Sequence, residues 1–310
     1  MMPWLTALAI SAPAIVALSL LSEGVDRKLR ARMQGRVGPP VTQPFYDFVK
    51  LLSKDRIVPV TAARHVFVNA PLLSALCSVA GGSVILSSVM AERGFAGDVF
   101  LVFYFLATAR LLALVGGAAS GNPLAVIGAW RGIAVLASYK PAMLTAAAAA
   151  TLAAEPPFSV AGAIEVQREL GVCLAFSSIG GAAAFVAYLM CMPAEAEVPP
   201  FDVAVADTEI VYGYSVEYGG PHLALLRLSK SASRFSSSLL MSVLFLYQPL
   251  GSGILAALAA LALAFALLLA AATVPSVVLA RVRTRQAVKF NWMVPTPLSV
   301  ASMALLLAGW

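Results

Sequence analysis

Eight long apolar runs dominate this 310-residue sequence and leave few folds open to it. Most are long enough for a helix to cross the roughly 30 Å hydrocarbon core of a membrane. They are rich in Ala and Leu and lack the two-residue alternation of β-strands. We therefore predict an all-α polytopic membrane protein, a single membrane domain 1–310 with about eight transmembrane helices. The predicted helices cover residues 3–22, 67–90, 97–119, 132–154, 171–192, 234–249, 251–280 and 292–309.

The basic residues are divided unequally between the two sides of the predicted bundle. Connections on one side contain seventeen Lys and Arg residues, whereas the opposite connections contain only Arg93 and Arg168. Because Lys and Arg accumulate on the cytoplasmic side of the cell membrane, we expect the connections 23–66 and 193–233 to be cytoplasmic. Both termini then face outside. Anionic membrane lipid accounts for the net charge of +6, and no nucleic-acid motif accompanies it.

No pattern in the sequence predicts a metal, iron–sulfur or nucleotide site. The three cysteines form no CxxC pair, and the two histidines are far apart in the chain. Neither a GxGxxG sequence nor a P-loop is present. We therefore expect this chain to bind no metal and no cofactor of its own.

Six of the fifteen carboxylates fall within the short stretch 195–217, between two apolar runs. Carboxylates held among apolar groups have raised and mutually coupled pKa values and can exchange protons near neutral pH. The stretch therefore indicates a proton pathway or a coupling element, and an ordinary solvated acidic loop is the alternative. The six acids are Glu195, Glu197, Asp202, Asp207, Glu209 and Glu217.

The first connection, 23–66, combines a basic segment, a helix break and an amphipathic pattern. Residues 26–33 are dense in Arg and Lys, and Gly and Pro at 35–40 interrupt any helix. From Pro44 onward, apolar and charged residues alternate at helical spacing. This pattern predicts an amphipathic helix that lies on the membrane surface or against a partner.

The connecting segments resemble those of the complex I subunit 1 family, which includes the H subunits of NADH-quinone oxidoreductases. Three segments carry the resemblance: MQGRVGPP at 33–40, GAWRGIAVLASY at 128–139 and the carboxylate-rich loop 195–218. The predicted eight spans also agree with this family.

Further details are most similar to the membrane subunit of energy-converting nickel–iron hydrogenases and their formate hydrogenlyase relatives. They are Gly-Pro-Pro at 38–40, Arg110, Gly-Asn-Pro at 121–123 and EYGGPHLAL at 217–225.

The resemblance implies a non-catalytic subunit of an oxidoreductase complex in an electron-transport or respiratory chain. Such a subunit lies beneath hydrophilic iron–sulfur and large hydrogenase-like subunits, beside antiporter-like membrane subunits. It couples electron transfer to proton or sodium translocation. Iron–sulfur clusters, and a nickel–iron centre in the hydrogenase-like branch, belong to the partners. Two alternatives remain: a quinone-tunnel subunit of a complex I-type enzyme, which would bind quinone, and a stand-alone secondary ion transporter.

Arg110 lies in the middle of a predicted span, where an unpaired charge costs several kcal/mol. We therefore expect it to face a carboxylate or a wet cavity. For the acids of the loop, a salt bridge to the Arg-rich first connection is the structural alternative, and Glu197 ranks below the others because the family usually has a neutral residue there. The predicted proton-pathway residues are Glu195, Asp202, Asp207, Glu209, Glu217, Lys140 and Arg110. The predicted residues of the partner interface or cavity are Arg36, Gly38, Pro39, Gln43, Asp47, Lys50, Arg131 and Phe201.

Lys140 departs from the family pattern, since a Glu usually stands at this place in the fourth helix. Further departures are Gly132 and Val205 in place of acids and Val198 in place of an Arg. A Lys in this pocket can shuttle protons, or it can act as a fixed cation that keeps neighbouring carboxylates ionised. The sequence leaves both roles open.

Overall fold

The structure is a computed structural model that describes residues 2–246 and 254–308. The side chains of residues 2–5, 207, 208 and 254–256 lie outside the described part. In chain order the described α-helices are α1 Met2–Met33, α2 Gln43–Leu52, α3 Arg64–Ala91, α4 Asp98–Ala118, α5 Pro123–Ala150, α6 Val160–Leu170, α7 Leu174–Ser177, α8 Ile179–Glu195, α9 Asp207–Ile210, α10 Gly220–Met241, α11 Ile254–Leu268, α12 Val274–Val278, α13 Thr284–Met293 and α14 Pro295–Leu307.

The helices confirm the prediction of an all-α polytopic membrane protein. In the described residues, six helical segments are long and apolar enough to cross a membrane, and α8 is a shorter apolar helix. The six segments are Thr6–Met33, Arg64–Ala91, Asp98–Ala118, Pro123–Ala150, Ala257–Val278 and Thr284–Leu307. The predicted amphipathic helix is confirmed as α2.

Helix capping and side-chain pairing move several helix ends away from the predicted positions. The helix predicted at 132–154 begins at Pro123, because the Asn122 side chain caps it by accepting a hydrogen bond from the Leu124 backbone N–H. The helix predicted to end at residue 22 continues to Met33. Within this extension, Glu23–Arg27 and Asp26–Arg30 form ion pairs one helical turn apart.

The helix α10 also differs from its prediction, which covered only 234–249. It begins at Gly220 and packs against α1, α3 and α11. Arg227 and Lys230 make its first half read as a charged connection, and its serines bond within the helix: Ser231 Oγ donates to the Leu228 carbonyl at 3.0 Å. Small residues of this kind allow close helix packing in membranes. The junction between the helices predicted at 234–249 and 251–280 falls within residues 247–253, which lie outside the described residues.

Successive spans run in opposite directions, so the connections gather at the two ends of the bundle. We call one end the acidic end; it contains the connections 34–63, 119–122, 196–219 and 279–283. These connections touch one another: the Thr61 hydroxyl donates to the Ser120 carbonyl at 3.1 Å, and the Val282 N–H donates to the Pro200 carbonyl at 3.1 Å. The other end, which we call the opposite end, contains 92–97 and 151–178.

Candidate functional site

The short helix α8 determines the depth of the candidate site. With 17 residues it is about 25 Å long, less than the membrane core, so it ends inside the bundle. Its last residue, Glu195, therefore meets Arg110 and Lys140, which lie in the middle of α4 and α5. The chain then turns at Glu197, whose φ of 47° is uncommon for a residue other than Gly. Most of the following residues to 206 are buried, so the acidic loop is not an ordinary solvated loop.

Five side chains form what we call the central charge cluster: Arg110, Lys140, Glu195, Glu197 and Lys230. Lys140 Nζ lies 2.8 Å from Glu195 Oε2. Arg110 Nη2 lies 3.2 Å from Glu197 Oε1 and donates to the backbone carbonyl of Glu195 at 3.1 Å. Lys230 Nζ lies 3.1 Å from Glu197 Oε2. Arg110 and Lys230 thus share the Glu197 carboxylate, Lys140 pairs with Glu195, and the bond from Arg110 to the Glu195 backbone carbonyl joins the two groups into a row from α5 to α10.

The row continues toward the surface through Asp202. Its carboxylate lies 2.8 Å from Arg281 Nη2 and feels the charge of Lys230. Arg110 is predicted to face a carboxylate, and the structure shows that this carboxylate is Glu197. The family pattern ranks Glu197 below the other acids of the loop. Asp202 pairs with Arg281 instead of the first connection.

The pKa values of Glu197 and Asp202 are shifted in opposite directions by their surroundings. Burial raises the pKa of Glu197, but the positive charges of Arg110 and Lys230 outweigh it, so this pKa lies below its ordinary value. Burial also raises the pKa of Asp202, and Lys230 and Arg281 offset only part of that effect, so its pKa lies above the ordinary value. Neighbouring acids whose pKa values are driven apart are typical of sites that move protons.

A cavity of about 670 Å³ opens beside the central charge cluster, between α1, α10 and the acidic loop. Lys230 lines the cavity and also contacts Glu197, so the cavity and the cluster share one cation. Among the described residues, no three His, Cys, Asp or Glu side chains come together as metal ligands. The charged lining residues are Glu23, Asp26, Arg27, Arg30, Arg227, Lys230 and Arg234.

Another buried acid, Asp26, anchors the wall of this cavity. It lies 2.8 Å from Arg30 Nη2 and 3.4 Å from Arg234 Nη2, and it accepts a hydrogen bond from the Thr273 hydroxyl at 2.6 Å. These contacts join α1, α10 and the π-helical segment Leu269–Thr273. Sequence reasoning missed Asp26. Its signal is a lone acid, one helical turn before an Arg, within a basic segment.

The remaining predicted pathway acids lie at the periphery. Glu209 is exposed and lies 2.7 Å from Arg131 Nη1. Glu217 accepts a hydrogen bond from Asn122 Nδ2 at 2.6 Å, which ties the loop to the start of α5. Asp207 is also predicted as a pathway acid, but its side chain lies outside the described part of the structure.

The first connection is fastened to α1 through two of its predicted residues. Asp47 lies 3.0 Å from Arg27 Nη1, and it accepts a hydrogen bond from Gln43 Nε2 at 3.0 Å. Burial raises the pKa of Asp47, but the hydrogen bonds from Gln43 and Arg27 hold it below its ordinary value. Gly38 packs closely against Lys28 of α1, where a Cβ atom would lie 2.9 Å from the Lys28 Cα. Since Arg27 lines the cavity and pairs with Asp47, the first connection holds one side chain of the cavity wall in place.

The other predicted interface residues stay away from the charged cavity. Arg36, Pro39 and Lys50 are exposed on the first connection. Phe201 is buried, with its ring centroid 5.7 Å from that of Phe290. None of the eight predicted interface or cavity residues lines the charged cavity within the described part of the chain.

Comparisons with known proteins identify the family of this chain. A family model described as NADH dehydrogenase matches residues 5–307. The H subunit of the NADH-quinone oxidoreductase of Geobacillus kaustophilus is 30% identical, over 94% of this chain and 89% of the relative. The corresponding protein of Thermomicrobium roseum is 32% identical, over 90% of this chain and 88% of the relative.

A solved structure shows the same fold over almost the full length. A chain of the membrane-bound sulfane sulfur reductase, an archaeal respiratory membrane complex, superposes with a TM-score of 0.84 at 25% identity, covering 98% of this chain and 99% of that chain. The resemblance found in the connections is confirmed, and the chain belongs to the NADH dehydrogenase family of complex I subunit 1 proteins.

Proposed function

We propose that this chain is the membrane subunit of a multi-subunit hydrogenase-like or complex I-like oxidoreductase, in which it couples electron transfer to proton or sodium translocation. One observation carries this proposal: the ion pairs of Glu197 with Lys230 and Arg110 begin at the charged cavity, and Arg110 continues the row by donating to the backbone carbonyl of Glu195, whose carboxylate pairs with Lys140. Such a row can transmit a change of charge at the cavity into the middle of the bundle.

The coupling begins at Lys230, which serves both the cavity and Glu197. When a partner's redox centre above the cavity gains an electron, the new negative charge draws Lys230 away from Glu197. At an effective dielectric near 20, one unit charge about 8 Å away is worth roughly 2 kcal/mol, or about 1.5 pKa units. Asp202, whose pKa already lies above its ordinary value, then takes up a proton first.

Lys140 acts as the fixed cation at the inner end of the row. Its Nζ lies 2.8 Å from Glu195 Oε2, and 5.6 Å and 5.8 Å from the ring centroids of Tyr139 and Phe103. A carboxylate and two aromatic rings thus surround the Lys140 side chain. In this proposal Lys140 takes the fixed-cation role, and Glu197 and Asp202 are the acids that exchange protons.

The placement of partners follows from the charge of the acidic end. We place this end, with the segments 23–66 and 193–233, in the cytoplasm, beneath hydrophilic iron–sulfur and large hydrogenase-like subunits that hold the redox centres. Exposed residues of the first connection, including Arg36, Pro39 and Lys50, and the Arg131–Glu209 pair provide the contact surface. Antiporter-like subunits lie alongside in the membrane, and both termini face outside.

Neutralising the inner end of the row tests the proposal. In the assembled complex, the double variant Lys140→Gln/Glu195→Gln removes both charges without leaving one unpaired. Inverted membrane vesicles should retain electron transfer but translocate far fewer ions per electron, because the charge signal has no inner acceptor. Unchanged translocation per electron would refute the coupling role.

The matched control is Glu92→Gln/Arg168→Gln, which neutralises an ion pair at the opposite end. It should leave the ratio of ions to electrons unchanged. The purified chain alone in proteoliposomes should conduct no ions; ion flux there would favour a stand-alone transporter.

The charged cavity supports a second candidate function, the binding of a quinone headgroup. Its lining includes exposed Tyr212 beside the cations, and a tyrosine hydroxyl can donate a hydrogen bond to a carbonyl oxygen. The hydroxyls of Tyr214 and Tyr218, which also line the cavity, already donate to Glu197 and to the Phe67 carbonyl. A photoreactive lipid-soluble quinone should then label the segment 195–218 in the active complex. Labelling elsewhere only would favour the hydrogenase-like branch, in which the cavity holds no quinone.

A further inference from the structure

A second large cavity lies at the acidic end, separate from the charged one. It is an apolar groove of about 700 Å³, within the range of about 300–1,000 Å³ usual for small-molecule sites. The backbone N–H of Val282 donates to the Pro200 carbonyl at 3.1 Å, which joins the two walls. Gln286 is the one polar side chain of the lining within the described residues. The largest apolar lining residues are Leu189, Met190, Phe201, Leu279 and Phe290.

Exposed basic residues are next in sequence to several lining residues of this groove. Arg283, Arg285 and Lys289 are exposed and form no ion pair with any described side chain. Arg285 and Lys289 each precede a groove-lining residue of α13, and the Arg283 N–H donates to Gln286 Oε1 at 3.0 Å. No Asp or Glu follows Glu217 in the sequence. The nearest acid on the groove side, Asp202, already pairs with Arg281.

We propose that this groove binds a phospholipid with an anionic headgroup. One acyl chain fills the apolar groove, and the phosphate lies against Arg283 and Arg285. In the membrane the acyl chain leaves an equally apolar environment, so the groove contributes packing contacts and the basic residues contribute the selectivity for the headgroup. Basic pockets at the ends of transmembrane helices are suited to anionic lipid headgroups. The unpaired cations favour this occupant over an apolar helix of a neighbouring subunit, which needs no cations beside it.

Lipid retention by the purified full chain tests the proposal. After delipidation in detergent, the chain is incubated with phosphatidylglycerol or phosphatidylcholine of identical acyl chains, and bound lipid is counted by native mass spectrometry. The wild type should retain phosphatidylglycerol in preference to phosphatidylcholine. The double variant Arg283→Gln/Arg285→Gln should weaken phosphatidylglycerol binding by roughly tenfold to thirtyfold and leave phosphatidylcholine binding unchanged.

Two further variants separate the headgroup from the acyl chain. Ala270→Trp narrows the groove and should weaken the binding of both lipids. Arg32→Gln/Arg64→Gln removes two exposed arginines of other segments and should change neither. Monodisperse elution from a sizing column verifies that each variant is folded. Equal retention of the two lipids by the wild type, or no effect of Arg283→Gln/Arg285→Gln, would overturn the proposal.

Photo-crosslinking in the intact complex distinguishes a lipid from a protein occupant. A benzophenone amino acid introduced at Ala270, a lining residue of the groove, should form adducts with lipid. An adduct with a neighbouring subunit, and none with lipid, would show that a protein helix covers the groove and would refute lipid binding there.

Discussion

The two ends of the helical bundle hold their buried carboxylates in different ways. At the acidic end, Glu195 and Glu197 each lie within 3.2 Å of a cation. At the opposite end, buried Asp98 accepts hydrogen bonds from the Val160 N–H at 2.7 Å and the Ser159 hydroxyl at 3.3 Å. A carboxylate paired with a cation responds to a change of charge nearby, whereas one held by neutral donors fastens two segments. Under the proposed function, the partner of a buried acid, more than its burial, therefore distinguishes a coupling residue.

The distribution of ion pairs follows the same division. Of the ten ion pairs that the described side chains form, nine lie at the acidic end or extend from it into the bundle. The tenth, Glu92–Arg168, lies at the opposite end and is largely exposed to solvent. Because exposed pairs contribute little, electrostatic coupling is concentrated at one end of the molecule.

The largest effect is expected from Lys140→Met. This change leaves Glu195 buried without its cation, and breaking a buried ion pair costs about 3–5 kcal/mol. The variant should unfold at a markedly lower temperature in detergent and assemble poorly into the complex. Thermal unfolding followed by intrinsic fluorescence measures the first effect, and native gel electrophoresis measures the second.

Lys140→Arg is the matched control, because it keeps a cation beside Glu195. Its stability should stay near that of the wild type. Equal unfolding temperatures for the Met and Arg variants would mean that the ion pair contributes nothing at this depth, and the contrast between the two ends would fail.

The second prediction concerns Asp98, the buried acid at the opposite end of the bundle. Asp98→Ala leaves the Val160 N–H and the Ser159 hydroxyl without their acceptor, which costs about 1–3 kcal/mol. The unfolding temperature should fall, but vesicles containing the assembled variant should translocate as many ions per electron as the wild type. A lowered ratio would place Asp98 in the coupling route and remove the distinction between the ends.

Much of this fold could be predicted from the sequence, because membrane spans depend on local apolar content. The start of α10 could not, since Arg227 and Lys230 make its first half resemble a charged connection. The pairing of Lys140 with Glu195 was equally hidden, because the short α8 determines at what depth Glu195 lies. The family pattern ranks Glu197 low among the acids of the loop. Arg110 requires a carboxylate partner, but only the tertiary contacts of the folded chain identify this partner as Glu197.

The third prediction tests whether the acids of the row are electrostatically coupled. Lys230 lowers the pKa values of both Glu197 and Asp202, so Lys230→Gln should raise both, by on the order of one unit. The native pKa of Glu197 is depressed, so its contribution to stability is present above the unfolded pKa and is lost as pH falls through the folded pKa. In the variant this loss should occur at higher pH. Infrared spectroscopy of the protonated carboxyl band as a function of pH measures the two pKa values, with Arg168→Gln as the control. Unchanged pKa values in Lys230→Gln would show that Lys230 does not couple the two acids.

The smallest effect is expected for the exposed ion pair at the surface of the acidic end. Lying at this end of the bundle is not enough to make a residue part of the buried row. Glu209 and Arg131 are 2.7 Å apart but partly exposed, and such pairs contribute about 0–1 kcal/mol. Arg131→Gln should therefore barely change the unfolding temperature of the purified chain, and added salt should abolish the difference, because solvent ions screen exposed charges within about 10 Å at 0.1 M. If this pair instead contacts a hydrophilic partner, the same variant should weaken assembly of the complex, as measured by co-purification at low salt. A large loss of stability in the isolated chain would mean that the pair behaves like the buried row, and depth in the bundle would no longer separate coupling residues from contact residues.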